Sequence, residues 1–133
     1  MKSYYLIDFK SYGDSRGLLT VFQKDSNIPF DLKRVFYSNQ VPTDAKRACH
    51  ANRNSEFVLV SVAGSCTVLA DDGKNREEFV LDSPQKGLYC GKMVWKEMYN
   101  FSLDNVLLVL ASTEYDTNEY IKDYEQFNKE VTR

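Results

Sequence analysis

Histidine is almost absent from this sequence, which contains one, and cysteine occurs only three times. A metal site needs several converging ligands, and His50 has only Glu56 nearby as a further donor, so we expect no metal. Cys49, Cys66 and Cys90 are odd in number and far apart, which argues against a disulfide framework or a thiolate zinc site. We therefore predict buried free thiols and no cofactor.

The sequence also lacks a long apolar run and an excess of either charge. No segment approaches the roughly 18 apolar residues of a membrane span, and residues 1–8 do not resemble a signal peptide. Seventeen basic and nineteen acidic residues give a net charge of -2, which provides no general attraction for a nucleic acid. We expect a cytoplasmic protein without a nucleic-acid or membrane partner, in which phosphate groups are bound locally.

The chain has 133 residues, enough for one sizeable core but not for two ordinary domains. We therefore predict a single domain over residues 1–133. Short β-rich runs separated by turn signals fill its middle, so most of the fold is predicted to be strands. These runs cover residues 34–38, 57–62, 65–70, 78–81, 87–89 and 106–111.

Turn signals at residues 63–65 and 71–73 each include a glycine, which favours antiparallel neighbours. The runs 57–60 and 106–111 are apolar on both alternating faces, so we expect a barrel interior on one side and a subunit contact on the other. A short amphipathic helix, acting as a C-terminal lid or brace, is predicted from the spacing of Tyr120, Ile121, Tyr124 and Phe127.

His50 lies just before a strongly predicted strand. In an extended chain His50 and Asn52 point to one face and Cys49 to the other, so a thiolate–imidazole pair is not expected. An imidazole on a polar inner face can remove and return the acidic proton beside a carbonyl. A lone surface histidine is the alternative interpretation.

Four further residues can complete such a site. Tyr37, on a predicted strand, offers a phenol that, if buried, can donate a proton to a developing enolate oxygen; a core aromatic is its alternative role. Arg16, Lys33 and Arg47 can hold a diphosphate, and arginine is preferred because its fork matches phosphate oxygens in pairs. Each cation alone is more often a solvated surface charge.

Several short segments follow one another in a recognisable order and spacing. They are DSRG at 14–17, NIPF at 27–30, KRVFY at 33–37, RACHAN at 47–52, GLY at 87–89 and VWKEM at 94–98. Together they resemble the cupin-type dTDP-sugar 3,4-ketoisomerases, a WxcM-like family, over nearly the whole chain.

This resemblance implies an all-β cupin, or jelly-roll, barrel that pairs as a homodimer, to which the pattern above adds a short C-terminal helix. It also implies an isomerase that moves the keto group of dTDP-4-keto-6-deoxyglucose from C4 to C3 through an enediol, without a metal, for amino-deoxysugars of surface glycans. By position, His50 matches an active-site histidine, Tyr37 a tyrosine beside the sugar, Arg47 an arginine near the diphosphate and Arg16 a basic residue of the same pocket.

The chain departs from the family pattern at Asn52, where the best-known members have a second histidine. An amide cannot shuttle a proton but can hydrogen-bond an enolate oxygen, so we assign Asn52 a stabilising role beside His50. Lys96 and Tyr99 stand where relatives often have histidine and can change which hexose configuration is accepted; Glu97 and Tyr99 are predicted to bind substrate. A nucleotide-sugar epimerase and a non-catalytic nucleotide-sugar-binding cupin remain the alternatives.

Overall fold

The computed structural model describes residues 2–132, most of which lie in antiparallel strands. A short 3-10 helix, Thr117–Glu119, and one α-helix, α1 (Tyr124–Val131), lie near the C-terminus. The strands are β1 (Tyr4–Asp8), β2 (Ser11–Asp14), β3 (Gly17–Thr20), β4 (Arg34–Asn39), β5 (Arg47–Asn52), β6 (Phe57–Ala63), β7 (Cys66–Asp71), β8 (Arg76–Leu81), β9 (Lys86–Cys90), β10 (Trp95–Tyr99), β11 (Val106–Ala111) and β12 (Tyr120–Ile121).

Two five-stranded sheets enclose the main core between them. The first has the order β1-β9-β6-β11-β4 and the second the order β12-β5-β10-β7-β8, while β2 and β3 form a separate hairpin. The core between the sheets combines side chains of β6, β9 and β11 with side chains of β7 and β8. The jelly-roll fold predicted from the sequence is confirmed.

All six predicted β-rich runs are strands, with ends that agree to within two residues. The two predicted turns place Gly64 and Gly73 at φ +63° and +90°, the left-handed region that glycine tolerates best. Strands β1, β2, β3 and β10 were not predicted, and β5 was considered only as a stretch that is extended before the run at 57–62. Strand β10 was not recognised because Lys96 and Glu97 interrupt its apolar pattern.

Strands β6 and β11 are covered on both faces, as predicted, but the outer cover is not a subunit contact. One alternating set of side chains, which includes Phe57 and Leu59, joins the core between the sheets. The other set, which includes Val58 and Val60, packs against the N-terminal part of the same chain. The expectation of a subunit contact on this face was therefore wrong, because Phe9, Ile28 and Phe30 fill that place.

The C-terminal helix begins at Tyr124, not at Tyr120. Its start is fixed by Asp123, whose carboxylate accepts a hydrogen bond from the backbone N–H of Glu125. Tyr120 and Ile121 instead form β12, which pairs with β5 at the edge of the second sheet. The prediction that these two residues are helical was wrong, because pairing with β5 buries Ile121 without a helical turn.

Helix α1 acts as a brace on the outer face of the second sheet. Phe127 is fully buried and joins a cluster with Ala51 of β5, Trp95 of β10 and Ile121 of β12. The indole N–H of Trp95 also donates to Glu97 Oε2 at 2.8 Å. The backs of β5 and β10 are thus held in place, while their other face lines a cavity.

Candidate active site

A cavity of about 230 Å³, here called the inner cavity, opens between the two sheets. Its wall is apolar towards β6 and β11 and polar towards β5 and β10. An enclosed space of this kind with a few converging polar groups is typical of a small-molecule site. The lining residues are Phe36, Tyr37, Ser38, Arg47, Ala48, His50, Phe57, Leu59, Lys96, Met98, Leu107, Val109 and Tyr120.

A β-bulge in β5 determines which side chains reach this cavity. Ala48 and Cys49 adopt φ of 66° and 59°, and the pairing skips a residue there, so that His50 faces Lys96 and Ala48 faces Glu97. Because of this extra residue, the simple alternation assumed from the sequence does not hold before His50. The bulge lets the neighbours Arg47 and Ala48 line the cavity together with His50.

His50 lies in the cavity wall with its imidazole in a mostly dry environment. Its Nδ1 is buried and has no hydrogen-bond partner within residues 2–132, and its ring meets the Tyr120 ring edge-on at 4.7 Å. Burial, together with the nearby Lys96 ammonium, lowers the pKa of His50 to about 4. The imidazole is therefore neutral at physiological pH, as a base must be.

Asn52 lies on the same face as His50, as predicted, but deeper in the wall. It is fully buried, and its amide oxygen finds no hydrogen-bond partner within the described chain, whereas its amide N–H faces the Glu119 carboxylate. It is not among the residues that line the inner cavity. A buried amide oxygen without a donor is costly to fold, which points to a role other than packing.

A buried carboxylate anchors the loop that follows β5. Glu119 accepts hydrogen bonds from the backbone N–H groups of Asn54 and Ser55 at 2.8 and 2.9 Å, and from the Ser55 hydroxyl. Burial raises the pKa of Glu119, but hydrogen bonds from the Ser55 hydroxyl, the two N–H groups and the Asn52 side chain outweigh it, so the pKa is lowered overall. This ionised anchor fixes the chain immediately after Asn52.

Tyr37 reaches the inner cavity, but its phenol is exposed, whereas a proton donor was expected to be buried. It lies on β4, the edge strand of the first sheet, and is 64% exposed at the cavity mouth. Within this chain it can contact a ligand at the entrance, but no surrounding structure isolates its hydroxyl from water.

A wider depression, here called the outer groove, adjoins the inner cavity and has a volume of about 410 Å³. The two share Arg47, Ala48, His50 and Tyr120. Lys122 joins Arg47 in the groove, so two cations lie beside the cavity mouth. Lys122 and Tyr120 were not identified from the sequence as site residues, because the segment 120–127 had been interpreted as a packing helix.

The other sequence-predicted binding residues do not line this site in the single chain. Arg16 is at the tip of the β2–β3 hairpin, paired with Asp14 at 2.7 Å, and Lys33 is exposed. Glu97 and Tyr99 lie on the far face of β10, in a separate depression, where Glu97 accepts from Lys46. The geometry therefore gives no support to a direct role for these four residues within one chain.

Neither thiol chemistry nor a metal cluster is suggested by the geometry. Burial raises the pKa of the Cys49 thiol, and burial likewise raises the pKa of Cys90 to about 11, so both favour the protonated form. Cys49, Cys66 and Cys90 are free. Within residues 2–132 no three His, Cys, Asp or Glu side chains are grouped so that they could hold a metal ion.

Known proteins are similar to this chain in both sequence and fold. Residues 2–132 match the family model described as WxcM-like, C-terminal. The chain is 45% identical over 128 residues to a TDP-4-oxo-6-deoxy-alpha-D-glucose-3,4-oxoisomerase from Aneurinibacillus thermoaerophilus, covering 96% of this chain and 92% of the relative. No helix in residues 2–132 is long and apolar enough to cross a membrane.

Solved structures extend the likeness to three dimensions. A TDP-fucose-3,4-ketoisomerase from Campylobacter jejuni is 46% identical with a TM-score of 0.94, over 98% of this chain and 96% of that one. A mutant 3,4-ketoisomerase from Thermoanaerobacterium thermosaccharolyticum, solved with TDP-4-keto-6-deoxyglucose, is 36% identical with a TM-score of 0.94, over 99% and 96%. Two epimerases are 15% and 17% identical, a likeness of fold alone.

Proposed function

This chain belongs to the WxcM-like, C-terminal family, and we propose that it moves the keto group of a TDP-linked 4-keto-6-deoxyhexose from C4 to C3. The predicted resemblance to sugar 3,4-ketoisomerases is confirmed by relatives that match nearly the whole chain. The observation that carries the proposal is the neutral imidazole of His50 in the wall of a sugar-sized cavity beside a cationic groove.

His50 is the base in this proposal. It takes the proton from C3, and the electron pair of that C–H bond forms a double bond between C3 and C4 while the C4 oxygen gains a proton. The product of this step is an enediol. Return of a proton from the imidazolium to C4, with loss of the proton on the C3 oxygen, gives the 3-keto sugar and restores the neutral imidazole.

Tyr37 and Asn52 support this chemistry from opposite ends of the site. The phenol of Tyr37 stands at the cavity mouth, where it can hydrogen-bond a hydroxyl of the entering sugar. Asn52 follows His50 on β5 with its amide oxygen unpaired, so it has an acceptor available for a hydroxyl of the enediol. Asn52 itself transfers no proton.

In this proposal the nucleotide diphosphate binds in the outer groove. Arg47 lines both spaces, so a guanidinium there can hold phosphate oxygens while the sugar lies in the inner cavity. Lys122 adds a second cation. The rings of Tyr115 and Tyr120 line the same groove in an edge-to-face arrangement, with their centroids 6.0 Å apart. Two phosphates are thus matched by two cations, without a metal.

The homodimer is part of this proposal. Exposed apolar side chains of β3 and β4 are left at the surface of the single chain, where a second copy would cover them. They are Leu18, Leu19, Val35 and Phe36. We expect light scattering at micromolar concentration to give twice the mass of one chain; a monomeric mass contradicts the pairing. Free thiols and a nucleotide-sugar substrate favour the cytoplasm as its compartment.

The test incubates the chelator-treated protein with TDP-4-keto-6-deoxyglucose in deuterated water and follows the sugar ring by NMR. The matched control is His50→Gln, which keeps a polar side chain of similar length but no titratable nitrogen. We expect a 3-keto product from the wild type, with deuterium at C4 wherever the imidazolium exchanges its proton with the solvent before returning it, and turnover at least about 10²-fold slower from the variant.

Other outcomes identify the alternatives. A substrate that is epimerised but keeps its 4-keto group indicates an epimerase. A sugar that binds without change for both proteins indicates a nucleotide-sugar-binding cupin, and equal turnover by both proteins removes His50 from the mechanism.

A further inference from the structure

Lys96 has its ammonium group buried in the polar wall of the inner cavity. It is 2% exposed, and its Nζ donates one hydrogen bond, to the backbone oxygen of Val94 at 3.0 Å. Within residues 2–132 that oxygen is its only hydrogen-bond acceptor, although an ammonium has three protons to donate. The ring of Phe57 lies 4.9 Å away, an apolar neighbour that compensates only in part for lost water.

Lys96 also stands directly opposite His50. The two are paired residues across β5 and β10, immediately next to the bulge, and both line the inner cavity. Neither makes an ion pair within the described chain, and a buried ammonium without a carboxylate partner is costly. The fold thus places an ammonium and an imidazole, neither with an ion-pair partner in residues 2–132, on one small cavity.

The proposed reaction moves two protons, and His50 accounts for only one. The carbon-bound proton passes from C3 to C4 through the imidazole, while a second proton must leave the C3 oxygen and another must reach the C4 oxygen. Asn52 cannot carry either, because an amide has no suitable acid or base form. Tyr37 is exposed at the mouth of the single chain and is not part of the enclosed wall.

Building on the proposed function, we infer that Lys96 is the second proton-transfer group of the reaction. Its ammonium gives a proton to the C4 oxygen as His50 takes the C3 proton, which leaves a neutral amine and the enediol. The amine then takes the proton from the C3 oxygen as the imidazolium returns its proton to C4. Both side chains end in their starting states, so atoms and charges balance.

The charges around Lys96 suit this cycle. Burial lowers the pKa of Lys96, and Cys90 on β9 and Glu119 in the 3-10 helix oppose that shift. His50 faces it from β5, and the phenols of Tyr37 on β4 and Tyr120 on β12 line the same cavity. A lysine with a lowered pKa gives up its proton more readily than one in water.

The experiment compares wild type, Lys96→Met and Lys96→Ala. Methionine keeps most of the side-chain volume without the buried charge, so the variant is expected to fold and to bind TDP with an unchanged dissociation constant by calorimetry. Its kcat is expected to fall by about 10²- to 10⁴-fold. In Lys96→Ala, added methylamine should restore part of kcat, whereas tetramethylammonium, a cation without a proton, should not.

Three outcomes overturn the inference. A Lys96→Met kcat within about threefold of wild type shows that no proton passes through this group, since its loss costs far more than that. Equal rescue of Lys96→Ala by both amines shows that charge alone is needed. An inactive wild type removes the proposed function itself, and the role of Lys96 with it, so the two failures are distinguishable.

Discussion

The two faces of the β5–β10 strand pair differ in how their side chains are satisfied. On the outer face Ala51 and Trp95 are buried under Phe127 in a closed apolar cluster. On the inner face His50 Nδ1 and the amide oxygen of Asn52 are buried without partners within residues 2–132. The difference teaches that stability and chemistry are divided between the two sides of the same strands, so that a substitution on one side should affect mainly one property.

The largest expected effect comes from removing the apolar brace. Phe127→Ala deletes a fully buried ring that lies 5.8 Å from the Trp95 ring, and we expect it to lower the free energy of unfolding by about 3–5 kcal/mol. Because Phe127 does not line the inner cavity, kcat should be retained at temperatures where the variant is folded. Denaturant unfolding and steady-state kinetics measure the two properties.

Asn128→Ala on the exposed side of the same helix is the matched control, and its effect should stay within about 0.5 kcal/mol. A Phe127→Ala protein that keeps its stability but loses its turnover would contradict the division between the two faces.

The second effect uses pH to single out the inner face. The pKa of His50 is lowered to about 4 in the folded protein, whereas an exposed histidine has a pKa near 6.5. Below about pH 6.5 the unfolded chain therefore binds a proton that the folded protein does not bind. The free energy of unfolding consequently falls as the pH drops through this window. Between pH 7 and pH 5 we expect a loss of about 2 kcal/mol.

Because His50 is the only histidine, no other imidazole contributes to this window. Unfolding of His50→Gln, measured over the same pH range, should lack this loss. Lys96→Met should show a smaller loss than wild type, because the ammonium is one cause of the lowered pKa. A wild type and a His50→Gln protein with the same pH dependence would show that the imidazole is not desolvated.

The outer face was more predictable from the sequence than the inner one. Apolar patterns indicate burial, so the core strands and Phe127 were identified correctly. Polar residues interrupt the same patterns: Lys96 on the inner face and Glu97 on the far face obscured β10, and only the family resemblance drew attention to its residues. A single sequence does not reveal which polar residue is buried, because burial depends on pairings between distant segments.

The bulge at Ala48 and Cys49 shows a second limit. Neither residue is a glycine, so nothing local signals left-handed backbone, and such strain persists only where the surrounding structure imposes it. The anchor provided by Glu119, 65 residues after Asn54 in the chain, is equally invisible in the sequence. His50 and Arg47 were found, but how they reach one cavity was not predictable.

The smallest effect tests Asn52 against Asn105, whose amide oxygen is also unpaired but whose amide nitrogen makes two hydrogen bonds. Asn52→Leu removes a buried amide oxygen that has no partner together with the contact of the amide N–H to Glu119, so we expect the free energy of unfolding to change by less than about 1 kcal/mol while turnover falls. Asn105→Leu is the matched control, because Asn105 Nδ2 donates to Ser61 Oγ at 3.1 Å and to the Ala63 oxygen at 3.0 Å. Its loss leaves those acceptors unpaired and should lower stability by about 1–3 kcal/mol. If both variants are destabilised alike in denaturant unfolding, Asn52 is paired in solution, and the inner face is not held at a cost in stability.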